Sequence, residues 1–472
     1  MDKVLTLLEN QNKEAQKTSE GSARIHYPLD PASFDPDAVK IIRRLTKHGF
    51  EAYFVGGCVR DLLLGETPKD FDIATSALPQ EIRKLFRNCR IIGRRFQLAH
   101  IYFSNQNIIE VATFRAGAKG RSGKEKDLLI IEDNVFGNAR SDALRRDFSL
   151  NALFYDMDKN EIIDFAGGLK HANERKLVAI GDPWVRFRED PVRIIRAAKY
   201  AAKLNLKMDE NTWQAMKDCH EEIIKSSPAR VVEEIFKILS GKRSGKIFSN
   251  LETIGLLKFV LPSIALDFEK SSEERKKEYW NYLFALEYGL TRELPVEFQK
   301  RKIKPPFPPQ LLEKPSRAIL FSTLFVPIFQ RELEQIQKGL AGHGLRDYLY
   351  DRIQEMGTFI RNPRKDTYRS QQIVTLQDRL FKTPKEISNP HSKKTRYRKR
   401  NSPSKIASRP YFLESLQFMW LCGAANENFS QWAAYEFWAR WQNRVSQGEV
   451  ESSPPHPRRG RRRRRRRRRR NP

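Results

Sequence analysis

The sequence is short of cysteine: four in 472 residues, Cys58, Cys89, Cys219 and Cys422, scattered and without a CxxC pair. That spacing excludes a zinc ribbon and a disulfide framework, and reduced thiols are the expectation. Long hydrophobic runs are also missing. The longest apolar stretch, Ala318 to Phe329, is interrupted by Ser322, Thr323 and Pro327, which suits a core helix rather than a membrane span. The opening residues, MDKVLTLLENQNKEAQK, hold no apolar segment of signal-peptide length, so the expected location is cytoplasmic. Acid is scarce relative to base: 58 Asp and Glu stand against 87 Lys and Arg, a formal net charge of +29. Twelve arginines between Arg458 and Arg470 account for part of this and leave +17 on the rest. The excess is therefore not confined to the tail. It points to a polyanionic partner, nucleic acid first and an anionic membrane surface second. No internal repeat of 20–50 residues is present, which argues against a solenoid or propeller.

What is there is organised around residues 51–76, EAYFVGGCVRDLLLGETPKDFDIATS. The apolar run Ala52 to Val55 reads as a strand that stops at Gly56-Gly57. Paired glycines let the backbone turn sharply and bring its N–H groups near an anion. Arg60 and Asp61 open an apolar turn closed by Gly65. Asp70-Phe71-Asp72 then reads as strand. Side chains two apart on a strand point the same way, so Asp70 and Asp72 should share a face with Phe71 buried behind them. Two hard oxygen ligands at that separation suit Mg²⁺, which takes its remaining ligands from water and phosphate. The set describes a nucleoside-triphosphate site for metal-assisted phosphoryl transfer. An isolated Asp-x-Asp is ordinarily solvated surface and an isolated Gly-Gly ordinarily a turn. The ordered combination carries the inference.

Along the rest of the chain, Pro36 to Lys47 and the stretch from Pro79 read as helices, and Arg90 to Phe103 and Ile108 to Arg115 as strands. From Asp182 onward the pattern is helical, broken by the proline-rich KPPFPPQLLEKP at 304–315. The four tryptophans Trp420, Trp432, Trp438 and Trp441 read as core. The fold class is α+β: a head with a short mixed β-sheet, followed by all-α neck, body and tail. The expected divisions are a flexible leader over 1–30, a catalytic head over 31–170, a helical neck over 171–245, a helical body and tail over 246–450, and a disordered Arg-rich tail over 451–472.

GG-x-VRD-x-LLG followed by KDFD resembles the signature of the class II nucleotidyltransferases, the tRNA CCA-adding enzymes and bacterial poly(A) polymerases. The likeness runs from about His48 to about Leu206. Gly93-Arg94-Arg95-Phe96 with Leu98-Ala99-His100, and the long loop before Asn134, resemble the poly(A) polymerase branch. Arg145-Arg146-Asp147-Phe148, continued through Ser149, Asn151 and Ala152, resembles the family's second motif. By that resemblance Arg146 contacts the nucleotide and Asp147 completes the acidic site; Glu110, on a neighbouring strand, is the rival third carboxylate and is ranked behind Asp147. Gly57 and Arg60 are expected to hold the triphosphate, with Gly56 in the same turn. Asp190, Arg193 and Arg196 fall along one face of a helix that starts at Pro191. A carboxylate and a guanidinium there can read the Watson–Crick edge of a base, with protein side chains in place of a template. An i,i+3 surface ion pair is the ordinary meaning of such a pattern, and the continued match through RAAKYAAKL favours recognition.

The function implied is addition of AMP from ATP to RNA 3′ ends, with Mg²⁺ as cofactor. CCA addition to tRNA with CTP and ATP is the first alternative, and a non-catalytic RNA-binding protein the second. Arg94, Arg95, the basic segment 385–409 and the oligo-arginine tail are expected to meet RNA phosphates. RNA-decay or ribosome-associated proteins are candidate partners.

Overall fold

The computed structural model describes residues 16–17, 23–93, 97–104, 107–116, 135–302, 304–306, 308–336, 342–388 and 403–446. The chain divides into two compact units. One comprises residues 1–238 and 246–266, the other 239–245 and 267–472. The first unit therefore runs without a break through the divisions expected at 170 and 171.

The first unit is built on a nine-stranded sheet in the order β1-β2-β9-β8-β3-β4-β7-β6-β5. These strands are β1 (Gln16–Lys17), β2 (Ala23–His26), β3 (Ala52–Val55), β4 (Ile73–Thr75), β5 (Cys89–Ile92), β6 (Leu98–Tyr102), β7 (Ile108–Thr113), β8 (Phe154–Asp156) and β9 (Glu161–Asp164). All neighbours are antiparallel except β4 and β7, which run parallel with Ile73 opposite Val111. The sheet is thus mixed, as the α+β reading expects. β3 lies inside it, buried along its whole length. Ala52 and Phe54 face one apolar cluster and Tyr53 and Val55 the other, so both faces are covered. That is why this strand reads as a continuous apolar run instead of an alternating one.

Helix α1 (Pro36–Lys47) covers one face. Asp35 caps it by accepting from the Asp37 and Ala38 N–H groups, Pro36 takes the first turn, and Ile41, Ile42 and Leu45 point into the core. Next come α2 (Gly57–Leu63), α3 (Pro79–Leu85), α4 (Ala139–Leu144) and α5 (Gly168–Asn173). The helical continuation is α6 (Pro183–Glu189), α7 (Val192–Lys203), α8 (Glu210–Cys219) and α9 (Pro228–Leu239), and a two-stranded parallel ribbon pairs Lys176–Leu177 with Lys207–Met208.

The other helices are α10 (Ser244–Thr253), α11 (Leu257–Val260), α12 (Pro262–Glu269), α13 (Glu273–Thr291), α14 (Val296–Lys300), α15 (Arg317–Ile336), α16 (Gly342–Phe359), α17 (Arg364–Ser388), α18 (Pro403–Ala407), α19 (Phe412–Ala425) and α20 (Phe429–Ser446). In the second unit, Trp420 and Trp438 are fully buried and Trp432 nearly so. Among its described residues the proline-rich break holds a short 3-10 turn, Gln310–Glu313.

Two expectations are corrected. The leader does not extend to residue 30, because Ala23–His26 is a strand in register with β9, Ala23 opposite Asp164 and His26 opposite Glu161. Its pattern, ARIH, is too short and too polar to announce a strand; pairing with β9 makes it one. And Asp70-Phe71-Asp72 precedes the strand, since β4 begins at Ile73.

Removing residues 1–26 should leave β9 as an open edge. With about 1 kcal/mol lost per backbone hydrogen bond and about 2–4 °C of melting temperature per kcal/mol, a fall of about 5 °C or more is expected. Differential scanning fluorimetry of the truncated protein checks this, and an unchanged transition would refute the role of β2.

Candidate active site

Asp72 lies where three elements meet. Its carbonyl accepts from the Val55 N–H at 3.1 Å, which ties it to the end of β3. The parallel register of β4 on β7, continued one residue back, sets Asp72 beside Glu110. Phe71 anchors the segment from behind, its ring 6.1 Å from Phe34 and 5.8 Å from Phe54. The Asp72 side chain still reaches solvent, yet its carboxyl is raised to about 6. Desolvation by the surrounding protein is the main cause, followed by the negative charge of Glu110 and, less, of Asp70, with Arg146 opposing them. An acid crowded by acids is an arrangement that a cation relieves.

Gly56 closes β3 with φ +72°, a conformation that other residues adopt only under strain, and a Cβ there would lie 2.8 Å from Arg146 Nη1. Gly57 begins α2, whose first turn has no side-chain cap. Arg146 is held from behind: Nε and Nη2 donate to Asp142 Oδ2, Nη1 donates to the Asn151 carbonyl, and the guanidinium lies 5.3 Å over the Phe154 ring. Arg145 takes the other oxygen of Asp142 at 3.0 and 2.7 Å. Asp142 is buried; against that burial the two guanidinium groups hold its carboxyl below the usual range.

Three residues expected at the nucleotide instead face inward. Arg60 is buried; its Nε and Nη2 donate to Asp61 Oδ1 at 2.8 and 2.5 Å, its Nη1 donates to Asn151 Oδ1 at 2.6 Å, and its guanidinium sits 5.0 Å over the Tyr200 ring. Arg196 donates through Nε to Asp147 Oδ2 at 2.7 Å, pairs with Glu234 at 3.6 Å and lies 5.4 Å over the same ring. Asp147 is buried. It accepts from Arg196, from Asn151 Nδ2 at 2.9 Å and from the Phe148 N–H. Despite that burial, Arg196 and Asn151 hold its carboxyl down to about 2. The carboxylate beside Asp72 is therefore Glu110, and Asp147 is the centre of a buried ion network. Sequence reasoning ranked these two the other way, because neighbouring strands are set by topology and not by spacing. It also gave no role to Asp142, Tyr200 and Glu234, nor to Asn151 beyond its place in the second motif. Of the other three, Asp142 alone left a trace, at i−3 and i−4 from the two arginines.

Asp190 and Arg193 come together as expected. Asp190 caps the end of α6, and its Oδ2 accepts from Arg230 Nη2 at 2.8 Å. Its Oδ1 is buried without a partner. Arg193 Nε lies 3.9 Å from Asp190 Oδ2, and its Nη groups reach the Arg186 and Arg145 carbonyls at 3.5 and 3.4 Å and Glu189 Oε2 at 3.8 Å. An unfilled acceptor next to under-used donors is a fit for the edge of a base. Arg186 fixes this corner by donating to the carbonyls of Arg145 and Arg146 at 2.6 and 2.7 Å.

Among the described residues no three His, Cys, Asp or Glu side chains group closely enough to hold a metal by themselves. Two carboxylates completed by phosphate and water remain the fitting donor set for a divalent ion. Arg94 and Arg95, residues 389–402 and the tail 451–472 lie outside the described residues.

This sheet, with its paired aspartates beside a Gly-Gly turn, defines a nucleotidyltransferase head. Residues 52–178 match the poly A polymerase head domain, and residues 205–268 match a probable RNA and SrmB-binding site of polymerase A. Residues 52–178 are thus similar to that head domain. Poly(A) polymerase I of Haemophilus influenzae is 39% identical over 253 residues, covering 52% of this chain and 56% of that protein. The Escherichia coli O157:H7 protein of the same name is 37% identical, covering 57% and 60%. A CCA-adding enzyme of Lactococcus lactis subsp. cremoris is 35% identical, covering 50% and 61%. The chain thus spans little more than half the length of the curated relatives it matches. Among solved structures, a tRNA-processing enzyme in an apo form has a TM-score of 0.54 at 18% identity, covering 89% of this chain and 97% of that one. A tRNA nucleotidyltransferase complexed with a primer tRNA and an incoming ATP analog has a TM-score of 0.52 at 18% identity, covering 87% and 100%. These likenesses define the fold.

Asp147→Ala should leave Arg196 and the buried end of the network unpaired, at a cost of about 3–5 kcal/mol. Because the Asp147 carboxyl is lowered, this stabilisation is whole above about pH 4 and fades as pH falls toward 2. Asp72→Asn should behave oppositely in metal-free protein. The cost of ionising Asp72 appears above its ordinary pKa and is complete above about 6, so the variant should melt higher than the parent at pH 7.5 and alike at pH 4. Thermal melts of both variants in EDTA test the distinction; a destabilised Asp72→Asn or a stable Asp147→Ala would reverse these assignments.

Proposed function

We propose that the chain is a template-independent polynucleotide adenylyltransferase, joining AMP from ATP to RNA 3′ ends and releasing pyrophosphate. The observation that carries the proposal is the crowding of Asp72 by Asp70 and Glu110 on a poly A polymerase head. Asp70 and Asp72 are the residues to hold Mg²⁺, which supplies charge neutralisation for the triphosphate and activation of the attacking 3′ oxygen. Gly56 and Gly57 let the backbone of the α2 turn approach the phosphates. Arg146 adds positive charge beside them from a fixed position, so no reorganisation is needed when charge develops. Arg60, Arg196 and Asp147 brace this arrangement.

Asp190 and Arg193 are the residues to take the base. Adenine and cytosine both present an amine beside a ring nitrogen acceptor; uracil and guanine present a carbonyl in place of that amine. The free Oδ1 of Asp190 accepts from the amine and Arg193 donates to the ring nitrogen. A carbonyl would face the carboxylate and be rejected, which explains selection of ATP or CTP against UTP and GTP. Preference for ATP alone is supported by the higher identity to poly(A) polymerase I. The proposed domains are the head over 31–170, the neck over 171–245 and the body and tail over 246–450, with a cytoplasmic location.

Purified protein incubated with unstructured RNA and each nucleotide separately should make long tails from ATP alone. Two cytidines and one adenosine added to tRNA would instead establish CCA addition, and no incorporation with intact RNA binding would establish a binding protein. Asp70→Ala should lower incorporation by at least about 10³-fold, the scale expected when charge stabilisation at the transferred phosphoryl is removed. Asp190→Ala should raise misincorporation of UTP and GTP, and unchanged discrimination would remove its role. Because protons compete with metal at Asp72, the apparent Mg²⁺ affinity should be constant above pH 7 and weaken about tenfold per unit below about 6. Activity titrations with Mg²⁺ at pH 5, 6, 7 and 8 read this directly.

A further inference from the structure

The second unit carries a group of three arginines that the head chemistry does not use. Arg346 lies on α16, Arg379 on α17, and Arg409 two residues beyond α18. The packing brings them to one place. α16 and α17 are joined by residues 360–363 and pack side by side. The Gln371 amide donates to the Tyr350 carbonyl at 2.9 Å and Gln372 donates to the Tyr350 hydroxyl, so α17 meets α16 there. Arg379 is seven residues beyond Gln372 and therefore on the same face of α17, two turns on. Arg346 is one turn before Tyr350, and its guanidinium lies 5.4 Å over that ring. One turn back along α16 is one turn forward along its antiparallel neighbour, toward Arg379. Ile406 of α18 packs in one cluster with Leu376 and Leu380 of α17, which brings Arg409 to the same end.

Among the described residues none of the three guanidinium groups has a carboxylate partner, and the nearest acid in sequence to Arg379, Asp378, pairs with Lys382 at 2.7 Å. Burial first, and then the facing charges of Arg379 and Arg346, push the Arg409 pKa below its ordinary value. Like charges brought together without a counter-ion cost stability, in contrast to the pairing of Arg369 with Glu414 in the same unit. The arginines also come from three separate segments, so no single helix periodicity forces them together.

We infer that Arg346, Arg379 and Arg409 form a binding site for the phosphodiester backbone of RNA. A guanidinium fork matches phosphate oxygens in pairs, and three forks from three elements suit one phosphate or two successive ones. Arg346, stacked on Tyr350, keeps its edge free to donate. The site reads backbone and not sequence. It lies outside residues 52–178 and 205–268, the parts of the chain matched to the head and to the polymerase A site. The choice of RNA over an acidic protein rests on the function proposed above and on the high net positive charge of the chain.

The test is binding by the full chain, read without nucleotide or turnover. Fluorescence anisotropy with a 5′-labelled 20-nucleotide unstructured RNA, from 50 to 300 mM KCl, yields affinity and its salt slope. The triple variant Arg346→Gln, Arg379→Gln, Arg409→Gln should bind about tenfold more weakly at 100 mM. Its slope should be smaller by about 0.7–1.4, the loss of one or two phosphate contacts on a single strand. The corresponding triple Lys variant should keep the slope. Inorganic pyrophosphate should raise the melting temperature of the parent more than that of the Gln variant. The Gln variant should melt no lower than the parent, since repulsion is relieved; a lower melting temperature assigns the arginines a structural role and overturns the site, and the single Arg409→Gln variant decides this if the triple fails to fold. An unchanged RNA slope overturns it too, including where binding of a polyglutamate peptide is lost instead. An inactive protein that shows the slope difference would leave this site standing while removing the adenylyltransferase reading. An active one without the difference would remove this site alone.

Discussion

The first unit depends on a buried ion network around one aromatic ring. Asp147 accepts from Arg196, Arg196 reaches Glu234, and Glu234 holds Lys199, while Arg60 joins through Asn151. Arg60, Arg196 and Lys199 all lie within 5.4 Å of the Tyr200 ring centre. Charges taken out of water are tolerated only when each finds its partner in good geometry. The network therefore admits one mutual placement of α2, the segment after α4, α7 and α9. Such pairing adds little net stability by itself, but any other placement leaves a buried charge unpaired. Specificity of arrangement is the product.

Three consecutive residues divide the labour at the centre of this arrangement. Arg146 turns toward Gly56 and the Asp72 carboxyl. The Arg145 carbonyl receives Arg186 and, more loosely, Arg193, beside the unfilled oxygen of Asp190. Asp147 turns inward to Arg196. The acidic cluster around Asp72 and the corner of Asp190 and Arg193 are thus tied to one short turn that the network locks. Neither needs to be positioned by a mobile loop.

The readable part of this protein follows from local constraint. A continuous apolar strand ending in Gly-Gly, a capped amphipathic helix and a proline-started α7 each carry their own signal in the order of residues. Asp70, Phe71 and Asp72 lie just ahead of β4, which begins at Ile73, later than spacing suggests. Asp190, at the end of α6, and Arg193, in the first turn of α7, are three residues apart and meet through local chain geometry. The polar strand Ala23–His26 carried no comparable signal, because it exists only by pairing with β9, more than a hundred residues away.

What the order of residues determined by itself was the kind of chemistry: which side chains are acidic, where the backbone can turn, and which helix brings a carboxylate to a guanidinium. Which charges face a ligand and which face each other was decided by tertiary packing. Arg60, Arg196 and Asp147 read as site residues in sequence, and Glu110 as the rival carboxylate ranked behind Asp147. Packing turns the first three toward partners and sets Glu110 beside Asp72, because whether a charged group is free depends on which partners the fold places within reach of it.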